Sequence, residues 1–110
     1  MASKFSLSMT ETAVNDLDDI LDYIANTLAN PPAAKNLYDK LNEAFQSVVV
    51  FPDAGAPVNN PAVLLDGVRK LFVKNYTVYY LPDYECEKVY ILRIVYSHRD
   101  MDEIIRNLSV

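Results

Sequence analysis

The stretch Lys88-Val89-Tyr90-Ile91-Leu92-Arg93-Ile94-Val95-Tyr96-Ser97 decides the fold. Branched aliphatic and aromatic residues fill it, and such side chains pack well on a pleated surface. It is apolar at odd and even positions alike, so a strand here buries both faces and belongs inside a sheet. Arg93 is the one charge between Val89 and Ser97. A mid-strand arginine among Ile and Leu either pairs with a carboxylate or faces a ligand, and both readings stay open.

Upstream, two further strands are expected over 68–75 and 76–81, joined tightly at Lys74-Asn75, with a turn over 82–87 before the decisive strand. Residues 52–67 read as a loop, because Pro52, Gly55, Pro57, Asn59, Asn60, Pro61 and Gly67 fall there. A loop of this length in a compact domain tends to be functional or mobile. Val63-Leu64-Leu65 is expected to anchor its far end.

Further upstream the period changes from 2 to 3.6. Leu37, Leu41, Ala44, Phe45 and Val48 form one helical stripe, opened by Asn30-Pro31-Pro32 and closed by Phe51-Pro52. Val14, Leu17, Leu21, Ile24 and Leu28 form another. Thr10 or Ser8 offers its N-cap, and Ser8 with Glu11 matches a capping box. Asp16, Asp18, Asp19 and Asp22 lie mainly off that stripe and read as a solvated face, since a dedicated cation site needs converging loop ligands. Phe5-Ser6-Leu7-Ser8-Met9 alternates as a half-buried strand does, and 101–108 reads as a short C-terminal helix capped by Asp100.

The expected class is α+β in the order β-α-α-β-β-β, with an αα-hairpin on one face of a twisted, mainly antiparallel sheet. The other sheet face is expected to be polar or to bind something. The 110 residues fit one domain, 1–110. No run approaches the roughly 20 apolar residues that span a bilayer, and no secretory leader is evident. Cys86 is the only cysteine, flanked by Glu85 and Glu87. A reducing cytoplasm is therefore the expected compartment, and a catalytic thiol is not expected.

The net charge of −5 is unevenly spread. Residues 1–66 set three lysines against nine carboxylates, and residues 67–110 set seven cations against six. A polyanion site therefore has to come from the last third. No phosphate-binding glycine loop, zinc-spaced Cys/His set or G-x-S-x-G is present, and no metal or cofactor is expected. What remains is a basic and aromatic set: Arg69, Lys70 and Lys74, then Tyr76, Tyr79 and Tyr80, then Arg93, His98 and Arg99. Strands about 4.8 Å apart can bring such groups into one patch suited to phosphates, stacked bases or an acidic peptide. Parity sets Arg93 and His98 on opposite faces unless a bulge intervenes.

Gly67-Val68-Arg69-Lys70-Leu71, then Asn75-Tyr76-Thr77-Val78-Tyr79-Tyr80, then the strand from Val89 to Asp100 with its Tyr96-Ser97-His98-Arg99-Asp100 ending, together resemble the RelE/ParE toxin superfamily. The likeness extends upstream to the helix hairpin and the Phe-Pro break. It implies a toxin of a type II toxin–antitoxin (plasmid-stabilisation) module, neutralised by a cognate antitoxin chain that wraps it. Two activities are implied by different branches. ParE-like members inhibit DNA gyrase by binding. RelE-like members cut mRNA on the ribosome with basic side chains, which here would be Lys70, Arg93, His98 and Arg99. Thr77 stands where RelE-like chains usually carry an arginine, and the pI near 4.6 disfavours RNA docking. Both points, with the ending of the last strand, place the resemblance nearer the ParE branch. The ribonuclease remains the alternative, beside a weakened member that keeps only antitoxin binding.

Overall fold

The structure, a computed structural model, describes residues 4–97 and 101–110. Strand β1 (Ser6–Met9) leads into helix α1 (Glu11–Asp22), which widens into a π-helical turn over Tyr23–Thr27. Helix α2 (Pro31–Val50), strands β2 (Ala56–Pro57), β3 (Arg69–Val73), β4 (Tyr76–Asp83) and β5 (Lys88–Tyr96), and helix α3 (Met101–Arg106) follow. The sheet order is β1-β5-β4-β3-β2. All neighbours are antiparallel except β1 and β5, which run parallel with Ser6 opposite Lys88 and Met9 opposite Ile91. The expected α+β class holds, and β5 lies inside the sheet, as its two apolar faces require. Among the described residues no helix is long and apolar enough to cross a membrane.

Helix ends follow side-chain chemistry. Thr10 caps α1: its Oγ1 accepts from Ala13 N at 3.1 Å and donates to the Leu92 carbonyl at 3.1 Å, tying the cap to β5. The Ser8–Glu11 capping box is not formed, because Ser8 belongs to β1 opposite Tyr90. Asn30 caps α2 through Ala33 N at 3.2 Å, with proline in the first helical turn as expected. Between the helices, Leu28 N donates to Tyr23 O and left-handed Ala29 (φ 49°) reverses the chain.

One core lies between the hairpin and the sheet. It contains Ala13, Leu37, Leu41, Phe45, Val48, Val78, Tyr80, Val89, Ile91 and Ile94, with Leu17, Ile20 and Ile24 packed against it. The stripe that α1 and the π turn lay against the core is therefore Ala13-Leu17-Ile20-Ile24, fully buried at Ala13 and partly at the others. Val14 and Leu28, expected in that stripe, are exposed. Leu28 lies beyond the π turn, whose extra residue rotates it off the stripe.

The other face of the sheet corrects an expectation. It is neither polar nor open. Val68, Tyr79, Leu92 and Val95 pack there under Ile104, Ile105 and Leu108, joined by Val58, Ala62, Val63 and Leu65. Helix α3 and the 58–65 segment thus form a second, smaller cover. Val63 and Leu65 anchor the long loop, whereas Leu64 is 81% exposed. A β-bulge makes the two-sided burial work. Tyr79 faces Arg93 and Tyr80 faces Ile91, so Leu92 is the extra residue. This phase shift lets Ile91 and Ile94 share the hairpin core while Leu92 and Val95 share the other.

Candidate functional site

Strand β3 splits its cations between the two faces. Leu71 and Val73 point into the hairpin core, so alternation sends Arg69 the same way and Lys70 and Phe72 the other. The Arg69 guanidinium donates to the Gly55 carbonyl at 2.6 Å and the Asp53 carbonyl at 3.2 Å, and lies 3.7 Å from the Asp53 carboxylate. It fastens the start of the 52–67 loop to the sheet.

Gly55 and Tyr80 complete that fastening. The Tyr80 hydroxyl accepts from Gly55 N at 2.7 Å and donates to the Pro52 carbonyl at 2.9 Å. A Cβ on Gly55 would sit 2.6 Å from both the Lys70 carbonyl and the Tyr80 hydroxyl, so only hydrogen fits. Burial pushes the Tyr80 phenol above its ordinary value, partly offset by the Gly55 N–H and by Arg69. Tyr84 donates to the Asp53 carboxylate, which raises the Tyr84 phenol.

Arg93 is also engaged. Its Nε donates to Asp16 Oδ2 at 2.7 Å and its Nη2 to Asp16 Oδ1 at 3.0 Å, a two-pronged ion pair between β5 and α1. Ile94 N donates to the same carboxylate at 3.0 Å. The Arg93 and Asp16 side chains are only 22% and 15% exposed. A guanidinium so held is not presented for a phosphate.

The other candidates are dispersed. Lys70 Nζ lies 5.8 Å from the centre of the Phe72 ring, and Phe72 is 67% exposed. Lys74 occupies the β3–β4 turn with φ 54°. Tyr76 packs edge-on against Tyr96, its register partner, with ring centres 5.8 Å apart. Burial, then the neighbouring Tyr96 and Tyr23 phenols, raises the Tyr76 phenol. His98 and Arg99 lie outside the described residues, as does Asp100. Among the described candidates, therefore, Arg69, Arg93 and Tyr76 face the hairpin, Lys70 faces the opposite side, and no single cluster forms. Thr77 is buried, and its hydroxyl shares a 2.8 Å hydrogen bond with that of Ser97. Cys86 is exposed in the β4–β5 turn, where its hydrogen bond to Asp83 raises the thiol and so disfavours a nucleophilic role.

Sequence reasoning took Asp16 for part of a solvated face and Tyr80 for a member of the aromatic patch rather than a loop anchor, and it missed Asp53 and Gly55. Asp16 carried a signal: it is three residues from Ala13 and four from Ile20, on the buried side of α1. It also missed a cleft of about 550 Å³ at the far end of the hairpin, lined by Asp19, Tyr23, Leu28, Tyr76 and Tyr96 among others.

Comparison with known proteins gives a consistent result. The family model for the ParE toxin of the type II toxin–antitoxin system parDE matches residues 7–101. A chromosomal ParDE toxin–antitoxin system from P. aeruginosa is 24% identical, with a TM-score of 0.66 over 84% of this chain and 96% of that one. A RelBE toxin–antitoxin complex from Mycobacterium tuberculosis is 22% identical, with a TM-score of 0.62 over 87% and 94%. A mutant of the E. coli toxin RelE in the free state is 13% identical, with a TM-score of 0.63 over 94% and 95%. At these identities the likeness to solved structures is one of fold. No curated protein matches the sequence.

Proposed function

From the premise that this chain belongs to the ParE toxin family of type II toxin–antitoxin systems, we propose that it inhibits DNA gyrase by binding and is neutralised by a cognate antitoxin. The whole of 1–110 is taken as one toxin domain acting in the cytoplasm. The observation that carries the binding reading is the engagement of both strand arginines. Arg69 holds a loop and Arg93 holds α1. Cleavage of RNA needs cations free to stabilise charge developing on the scissile phosphate, and loss of one such donor costs about 3–4 kcal/mol of barrier lowering. Thr77, buried against Ser97, supplies no such cation.

The ribonuclease remains a second reading on one observation. Lys70 forms no ion pair among the described residues and stands beside the exposed Phe72 ring, a pairing suited to a phosphate and a stacked base. In that reading the ribosome and mRNA replace gyrase, Lys70 acts as base or electrostatic aid, and His98 acts as acid with Arg99 on the phosphate. A family member reduced to antitoxin binding would show neither activity.

The test is a supercoiling assay with purified gyrase, run beside a cleavage assay on mRNA-programmed ribosomes. Inhibited supercoiling with intact mRNA is expected. Cleaved mRNA with unaffected gyrase would overturn the proposal. Lys70→Ala, His98→Ala and Arg99→Ala then locate the surface used. Arg93→Ala is unsuitable there, because it removes the partner of Asp16.

A further inference from the structure

The cleft beside the π turn is lined by aromatic, aliphatic and acidic side chains. Its floor is the Tyr76–Tyr96 pair at the far end of β4 and β5. Its outer wall is built by the π turn and the residue after it, which set Tyr23 and Leu28 over the strands while leaving each about half exposed. The result is an open groove about 550 Å³ in volume, walled by three tyrosine rings and aliphatic side chains.

Its charge is one-sided. Among the described residues, Asp16 and Asp19 are the charged ones that line it, and no Lys or Arg does. Asp16 is neutralised by Arg93, whereas Asp19 forms no ion pair among the described residues. The last turn of α1 and the π turn carry no basic residue, so no cation within them offsets the negative end of the helix dipole beside the groove. Asp18 and Asp22 add to the same field.

We infer that this groove receives an arginine side chain from a polypeptide partner, at a position flanked by apolar residues. A planar guanidinium stacks on tyrosine faces, pairs with Asp19 and meets the carbonyl end of the helix, while its aliphatic stem covers Leu28. The half-exposed rims of Tyr23 and Leu28 take the neighbouring apolar residues. Nucleic acid and anionic lipid are disfavoured by the same negative field that attracts the guanidinium. The inference rests on the groove alone and stands whether the chain acts on gyrase, on mRNA or on neither.

The experiment titrates the full chain with the peptide acetyl-Leu-Arg-Leu-amide and with its citrulline counterpart, which keeps the shape and removes the charge. Backbone amide NMR shifts locate binding, and tyrosine emission reports it, since the chain has no tryptophan. Saturable shifts in the π turn and at the Tyr76–Tyr96 end of the sheet are expected, with the arginine peptide about five-fold tighter than the citrulline one. Asp19→Asn and Tyr23→Ala should each weaken the arginine peptide by about three- to ten-fold. Asp39→Asn on the outer face of α2 should leave it unchanged, and unshifted amides elsewhere show that each variant is folded. Equal binding of the two peptides, indifference to Asp19→Asn, shifts on another face, or no shift at millimolar peptide would each overturn the inference.

Discussion

The two faces of the sheet are buried to similar depth but covered by very different lengths of chain. On one, α1, the π turn and α2 lay Leu37, Leu41, Phe45 and Val48 over the strands. On the other, the short helix α3 and the 58–65 loop do so with Ile104, Ile105, Leu108 and a few loop side chains. The strands do not distinguish the two: Ile91 and Leu92, one pointing each way, are each essentially inaccessible. The difference lies in what it would take to lift each cover. A twenty-residue helix joined to a second one comes away only with most of the fold. A six-residue helix, seated by Ile104 and Ile105 with Asn60 donating to Asp102, shares far less surface with the rest of the fold.

The sharpest way to break that comparison is to cut equal volumes from each side. Leu41→Ala is expected to cost about 4 kcal/mol, as a fully enclosed leucine does, and Ile105→Ala only about 2, because α3 can settle into the space. Urea denaturation measures both. Equal losses would mean that the small cover is as integral as the large one.

Next in size is the clasp between hairpin and sheet. Asp16→Ala strands the Arg93 guanidinium and leaves Ile94 N without its acceptor. A loss of about 3 kcal/mol is expected, the low side of the range for a buried pair because both groups keep some solvent. Thermal unfolding of the variant checks it, and a loss near zero would assign the pair to the solvated surface.

Tyr80→Phe should cost about 2 kcal/mol, since it leaves Gly55 N unsatisfied in a buried place. It also bears on pH. Burial holds the Tyr79 and Tyr80 phenols above the ordinary value of 10.0, so the folded chain keeps them protonated where the unfolded chain ionises. Their contribution to stability is therefore complete below pH 10.0 and is lost as the pH rises through their raised values. Denaturation midpoints across that range should fall with pH, and less steeply in Tyr80→Phe.

The smallest effect is a gain. Ala29 sits at φ 49°, where a Cβ is strained and glycine is not. Ala29→Gly is expected to add about 1 kcal/mol, read as a raised unfolding temperature. A loss instead would mean that the chain reversal draws on alanine's contacts more than on backbone freedom.

How much of this was legible follows from the same contrast. The large cover announced itself through the 3.6 period of α2 and through Asn30-Pro31-Pro32. The small one did not, because Val58, Ala62, Val63 and Leu65 follow no period and α3 is too short to show one. Leu92 and Val95 held the clue, since a strand apolar on both faces needs two covers. On α1 the register was misread because valine outranks alanine in hydrophobicity, while Ala13-Leu17-Ile20-Ile24 is as regular as the stripe beginning at Val14. The site suffered more. Arg93 and Asp16 are 77 residues apart in sequence, and periodicity cannot say which of fifteen carboxylates a strand arginine will meet. Lys70 and Arg69, adjacent in sequence, point to opposite faces by the plain rule of strand alternation, and that rule alone argued against one shared patch.

Under the proposed function, this member of the ParE family works by binding a replication target rather than by cutting mRNA. Induced expression in growing bacteria without antitoxin, with labelled thymidine and labelled methionine followed over the first minutes, tests it most directly. Thymidine incorporation is expected to fall first, while methionine incorporation continues. A fall in methionine incorporation ahead of thymidine would contradict it.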